Sequence, residues 1–111
     1  MCDAGEIWYV EFGGLAGGRY GVVVSSILVY VSSPQVVVLP ITSKVKRNHF
    51  TRVPIQQSFE STRIRGDIKC EEVHTLPKAM LRRRVVMCTP QLLAQVRRKL
   101  ANALDLGVVS S

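Results

Sequence analysis

Three short apolar runs fill the first part of the chain, and they restrict it to a small set of folds. Ile7-Trp8-Tyr9-Val10-Glu11-Phe12 alternates and is rich in aromatic and β-branched side chains. Tyr20 to Val31 is nearly continuous, interrupted at Ser25 and Ser26. Val36-Val37-Val38-Leu39-Pro40-Ile41-Thr42 is the third. Each reads as a strand by length and composition. Pro40 argues against a central ladder position unless a bulge or an edge absorbs it. Gly13, Gly14, Gly17 and Gly18 predict a flexible loop between the first two strands.

The remainder continues the pattern. Lys44 to Arg52 is polar and basic without periodicity, and reads as a long hairpin loop. Arg52 to Ile55 resumes a strand, Ser58 to Gly66 reads as another loop, and Asp67 to Leu76 carries a strand that turns near Pro77. Leu81 to Cys88 is the last strand. Thr89 then predicts a helix N-cap, with Pro90 at the first helical position. Leu93, Val96, Leu100 and Leu104 share one helical face. Arg97, Arg98 and Lys99 lie on the others, where the helix dipole favours cations. Gly107 is the expected stop. The chain thus predicts a single, mainly β domain over residues 1–111 with a C-terminal helix, folded as a small barrel or strongly bent sheet.

Charge narrows the partners. Lys and Arg total 15 against 8 acidic residues, a net of +7, which points to a polyanion: nucleic acid or an acidic protein segment. The three cysteines, Cys2, Cys70 and Cys88, suit neither a disulfide framework nor a zinc site. Cys70 and Cys88 fall in strand-like runs and read as core residues. His49 and His74 are too far apart in sequence for a metal motif. No metal or other cofactor is expected. No apolar run is long enough to span a membrane, and no leader pattern is visible, so a cytoplasmic protein is expected.

Two residues stand where chemistry can be done. Arg19 is the only charged residue between Glu11 and Lys44. It leaves the Gly-rich loop directly before an apolar strand, and its planar fork matches phosphate oxygens. Thr42 ends an apolar strand, where its hydroxyl can donate to the same phosphate. From position alone, Arg19 also reads as a solvated flank and Thr42 as a hydroxyl serving local backbone.

Longer stretches carry a resemblance. Gly5-Glu6-Ile7-Trp8-Tyr9-Val10-Glu11-Phe12 resembles the opening strand of the MazF/PemK family of toxin endoribonucleases. Arg19-Tyr20-Gly21-Val22-Val23-Val24-Ser25 resembles the family's Arg-Pro-x-x-Val-hydrophobic-Ser strand. Leu39-Pro40-Ile41-Thr42-Ser43 resembles its Pro-Ile-Thr segment, and Cys70 to Leu81 with the closing Leu104-Asp105-Leu106 resembles its C-terminal half. The likeness runs from Gly5 to Leu106. It implies a small SH3-like, CcdB-type barrel with a terminal helix, acting as the toxin of a type II toxin–antitoxin system. It implies a homodimer and a cognate antitoxin with an acidic segment, the two together forming an autoregulatory DNA-binding complex. It implies metal-independent, sequence-selective cleavage of single-stranded RNA (mRNA, tRNA or rRNA) to 2′,3′-cyclic phosphate and 5′-hydroxyl ends. The motif Arg and Thr, catalytic in the family, fall on Arg19 and Thr42.

The sequence departs from the family in three places. Tyr20 replaces the Pro after the motif Arg. Gly13 to Gly18 holds only Gly, Leu and Ala where an acidic residue is common. Glu71-Glu72-Val73-His74 replaces Asp-Gln-Ile-Arg. Glu72 or His74 is a candidate for proton transfer if its strand faces Arg19. Lys44, Lys46, Arg47, His49 and Arg52, with Phe50 among them, suit single-stranded RNA, the cations on phosphates and the ring on a base. The same surface suits an acidic antitoxin. Arg82, Arg83 and Arg84 form a secondary patch. Trp8 faces opposite Ile7 and Tyr9, and both aromatics read as core or interface residues. Two other functions fit the composition: a non-enzymatic toxin of the same barrel binding a protein such as DNA gyrase, and a nucleic-acid-binding barrel without catalysis.

Overall fold

Alternation in the opening run organises the whole sheet. In a strand successive side chains leave opposite faces. The computed structural model, which describes residues 2–14, 17–46, 50–59 and 62–106, follows this rule in β1 (Glu6–Glu11). Ile7 packs into one core, while Trp8 and Val10 pack into a second. β1 pairs antiparallel with β2 (Gly18–Val23), setting Tyr9 opposite Tyr20 and Val10 opposite Arg19.

The run Tyr20 to Val31 is not one strand. β2 stops at Val23, and Ile27–Ser32 forms a short helix, α1. The serines account for the break. Ser25 Oγ accepts the Val37 amide at 3.0 Å, and Ser26 is the N-cap residue of α1. The Ile27 amide at the head of α1 donates to Asp3 Oδ1 at 3.0 Å.

β3 (Gln35–Thr42) is the central strand. One side pairs with β2. On the other side, Gln35 to Val38 pair with β6 (His74–Pro77), and Ile41 and Thr42 pair with β5 (Thr62–Lys69). Pro40 is buried within β3. The Val37 carbonyl accepts from Val24 on the β2 side, so alternation turns Pro40 the other way, toward the gap between β6 and β5. The N–H that proline lacks therefore has no ladder partner to lose.

β4 (Arg52–Phe59) pairs with β5, and β7 (Leu81–Met87) pairs with β1, giving the order β4-β5-β3-β2-β1-β7. Lys44 to Arg52 therefore joins β3 to a strand that is not its neighbour and is no hairpin loop. Ser58 to Gly66, read as a loop, is the end of β4 and the start of β5. Asp67 to Leu76, read as one strand, is the end of β5, a turn and most of β6.

α2 (Pro90–Ala103) closes the bent sheet over the larger core. Thr89 Oγ1 accepts the Leu92 amide at 3.1 Å, as the N-cap signal predicts. Val96 is fully buried among Ile7, Leu39, Ile68, Cys70 and Cys88, with Leu93 and Leu100 packed alongside. The helix stop differs from expectation. Asp105 takes φ 54, and the amides of Asp105 and Leu106 return to the Asn102 and Ala101 carbonyls, a Schellman closure that leaves Leu104 about half exposed. Gly107 lies outside the described residues. The second core, on the opposite face, gathers Val10, Val23, Val36 and Val38 under Tyr30 of α1. Among the described residues no helix is long and apolar enough to cross a membrane.

Candidate active site

Arg19 and Thr42 arrive from different strands and line one open cleft of about 510 Å³. Arg19 follows Gly18 at the start of β2, and Thr42 closes β3. Tyr9, Tyr20, Ser43, Lys44, Arg63 and Arg65 share the walls. Among the described residues, four that line it are cations (Arg19, Lys44, Arg63, Arg65) and none is acidic. In a concave, partly desolvated site a single sign of charge concentrates an oppositely charged ligand.

Two close approaches give the cleft its shape. The Tyr9 hydroxyl lies against the Cα of Gly18, so that a Cβ there would overlap it. Tyr9 and Tyr20 meet edge-on with centroids 5.5 Å apart. Gly66 of β5 lies against the Thr42 carbonyl, which a Cβ would strike. The absence of a side chain at Gly66 is what lets β5 reach the end of β3.

The Thr42 hydroxyl is oriented locally. Its Oγ1 accepts the Lys44 amide at 3.1 Å, which leaves the O–H free in direction to donate. The segment that follows is pinned from below. Asp67, 1% exposed, accepts the Lys46 amide at 2.8 Å through Oδ2. Arg52 Nη1 lies 3.6 Å from the same oxygen and donates to the Lys44 carbonyl at 2.9 Å. The pair leaves Arg52 Nε and Asp67 Oδ1 buried without hydrogen-bond partners among the described residues.

This geometry divides the basic stretch that the sequence presents as one surface. Lys44 faces the Arg19 cleft. Lys46, Phe50 and Arg52 line a separate cleft of about 770 Å³ against Arg98 and Lys99 of α2. The side chain of Arg52 is only 9% exposed and engages Asp67 and the Lys44 carbonyl, so it anchors the loop. Arg47 and His49 lie outside the described residues.

Glu72 and His74 do not line the Arg19 cleft. Glu72 Oε2 sits 3.1 Å from His74 Nε2, and Glu72 Oε1 accepts from Lys69 Nζ at 2.7 Å. The Lys69 hydrogen bond, followed by that from His74, holds the Glu72 carboxyl below its ordinary range. The His74 ring meets Phe12 edge-on at 5.0 Å, on the face of the second core. Glu72, in the turn before β6, and His74, at its start, are thus engaged with each other, Lys69 and Phe12, and neither lines the cleft that holds Arg19 and Thr42. Arg82, Arg83 and Arg84 are all exposed. A register shift between Tyr9 and Val10 interrupts their alternation along β7, and Arg84 Nε lies 3.8 Å from Glu6 Oε1.

Sequence reasoning missed Arg63 and Arg65. The alternation Arg63-Ile64-Arg65, with Ile64 1% exposed in the core, was the available signal. Reading Ser58 to Gly66 as a loop concealed it. Among the described residues no group of His, Cys, Asp and Glu side chains suits a metal ion.

Comparison with known proteins follows the geometry. The family model described as PemK-like, MazF-like toxin of type II toxin-antitoxin system matches residues 3–104. A mycobacterial endoribonuclease solved in complex with its cognate antitoxin superposes with a TM-score of 0.84 at 22% identity, covering 98% of this chain and 100% of that one. MazF from Deinococcus radiodurans gives 0.77 at 21%, covering 94% and 96%. The Mycobacterium tuberculosis toxin MazF-mt6 gives 0.73 at 21%, covering 90% and 96%. At these identities the likeness is one of fold. No curated protein matches the chain.

Proposed function

The chain belongs to the PemK-like, MazF-like toxins of type II toxin-antitoxin systems, and from that premise we propose that it is an endoribonuclease whose Arg19 and Thr42 face the scissile phosphate of single-stranded RNA. The observation that carries this reading is the convergence of Arg19 and Thr42 on one cleft lined, among the described residues, by four cations and no acid. The reaction is attack by the ribose 2′-oxygen on the adjacent phosphorus. The new P–O2′ bond replaces the P–O5′ bond, the 2′ proton is lost to a base, and the 5′-oxygen gains one. The products carry 2′,3′-cyclic phosphate and 5′-hydroxyl ends. Charge accumulates on the non-bridging oxygens at the pentavalent stage. A guanidinium fork and a directed hydroxyl stabilise that charge most when they are already in place.

The toxin acts as a cytoplasmic homodimer, restrained by an antitoxin whose acidic segment answers the net charge of +7. The test is incubation of the purified protein with a long single-stranded RNA in the presence of a chelator, followed by end mapping. Cleavage with cyclic-phosphate ends is expected. Arg19→Ala and Thr42→Ala should each lower kcat by about 10²–10³-fold, the cost of losing one preorganised donor. Intact RNA with wild-type protein, or full activity in both variants, would overturn the proposal.

A further inference from the structure

We infer that Arg63 and Arg65 form a pair of phosphate subsites beside the scissile position, so that the RNA strand leaving Arg19 and Thr42 runs along the outer face of β5. This rests on the endoribonuclease reading above for what occupies the cleft, and adds where the rest of the strand lies.

Ile64, buried in the core, fixes the alternation that turns Arg63 and Arg65 outward together. Both are exposed and both line the cleft that holds Arg19 and Thr42. Two residues of strand rise span about 7 Å, comparable to the step between successive phosphates of a single strand held extended. Rigid backbone, rather than a loop, sets that interval. Two less exposed cations nearby have anionic partners: Arg52 has Asp67, and Lys69 has Glu72. Neither Arg63 nor Arg65 forms an ion pair among the described residues, and the register partner of Arg65 on β4 is the uncharged Gln56. Two cations with no acid paired to them among the described residues, in a row leading from the site, make a track for an anionic backbone. Such contacts position the strand and carry no base information. Sequence selection must then come from other walls of the cleft.

The test is the salt dependence of binding, measured with an RNA oligonucleotide carrying 2′-O-methyl riboses so that it cannot be cut. Each phosphate contact removed should lower the magnitude of the slope of log K against log salt by about 0.7. Arg63→Gln and Arg65→Gln should each show that fall, with similar loss for unrelated sequences. On cleavable RNA, KM should rise while kcat stays within about twofold of wild type, since these contacts hold substrate and transition state alike. Arg97→Gln, an exposed position on α2 that lines neither cleft, removes the same charge and should leave the slope unchanged. An unchanged slope in the β5 variants, an equal fall in Arg97→Gln, or a loss confined to kcat would each overturn the track. A wild type that binds with the expected slopes yet leaves RNA intact would overturn the nuclease reading and leave the track standing.

Discussion

Truncating Asp67 should be the most damaging single change near the site that leaves Arg19 and Thr42 themselves untouched. Asp67 is 1% exposed, and its Oδ2 both accepts the Lys46 amide at 2.8 Å and lies 3.6 Å from Arg52 Nη1. Asp67→Ala leaves the Arg52 guanidinium, 9% exposed, with only the half-exposed Glu71 Oε2, 4.0 Å from Nε, as a counter-charge among the described residues, and leaves the Lys46 amide without its acceptor. A stranded buried charge costs about 3–5 kcal/mol, and an orphaned amide about 1–3 kcal/mol. The two share one cavity and will not add, so the expected loss is about 3–4 kcal/mol. That is a large part of the roughly 5–15 kcal/mol available to a domain. Urea unfolding followed by circular dichroism should show it as a midpoint lower by about 2 M, for an m-value of about 1.5 kcal/mol/M. Asp67→Asn keeps a carbonyl for the Lys46 amide and should fall between. The pair is itself incompletely satisfied, since Arg52 Nε and Asp67 Oδ1 have no hydrogen-bond partner among the described residues. Replacing both, as Arg52→Met with Asp67→Leu, should therefore recover stability relative to Asp67→Ala. An Asp67→Ala protein within about 1 kcal/mol of wild type, or a double variant weaker than that single one, would refute the reasoning.

Thr89→Ala removes the side-chain acceptor for the Leu92 amide and should cost about 1 kcal/mol, read by thermal melting as a fall of roughly 4 °C. Burial pushes the Cys70 thiol up to about 12 and the Cys88 thiol up to about 11. Because these folded values exceed the ordinary value of 9.0, the folded state holds protons that the unfolded state gives up. Their contribution is complete below about pH 9 and is lost as pH rises toward 11 and 12, so urea midpoints should fall across that range and less steeply in Cys70→Ala. Gly66→Ala places a methyl on the Thr42 carbonyl and should destabilise by more than about 1 kcal/mol while lowering kcat, checked by unfolding and end-labelled RNA cleavage. His74→Ala should leave the pH–rate profile of cleavage unchanged, because the ring is held between Glu72 and Phe12 and does not line the cleft.

What the sequence made legible was local. The alternation of β1, the N-cap of α2, the end of β3 at Thr42 and the start of β7 at Leu81 depend on neighbours in the chain, and each is where the residues put it. The misread elements are those decided by distant partners. Ile27-Leu28-Val29-Tyr30-Val31 is short, apolar and β-branched, a pattern that strand and buried helix share. An Asp3 carboxylate that meets the Ile27 amide is one long-range contact favouring the helix. Ser58 to Gly66 looks like a loop by composition, yet pairing of β4 with β5 makes most of it strand. That error hid half the cations of the cleft. The charge of Arg52 suggests an RNA contact, while its burial beside Asp67, a residue of the next strand, is set by the tertiary fold.

The glycines show how the site itself depends on that tertiary closure. Read along the sequence, Gly18 belongs to a Gly-rich run and suggests freedom of the backbone. In the fold it needs no left-handed conformation. Its lack of a side chain makes room for the Tyr9 hydroxyl beside Arg19. Gly66, far away in sequence, does the corresponding thing for Thr42, letting β5 press against its carbonyl. One glycine thus flanks each of the two residues that meet at the cleft, and each is a point of close approach between strands. The same closure that brings β5 against Thr42 also carries Arg63 and Arg65 into the cleft on a rigid strand, and sets Asp67 beneath the Thr42 to Lys46 segment. Placement of the reactive pair and placement of the cations around it are therefore one structural event, the docking of β5 onto the end of β3, and a change that loosens that junction should weaken both.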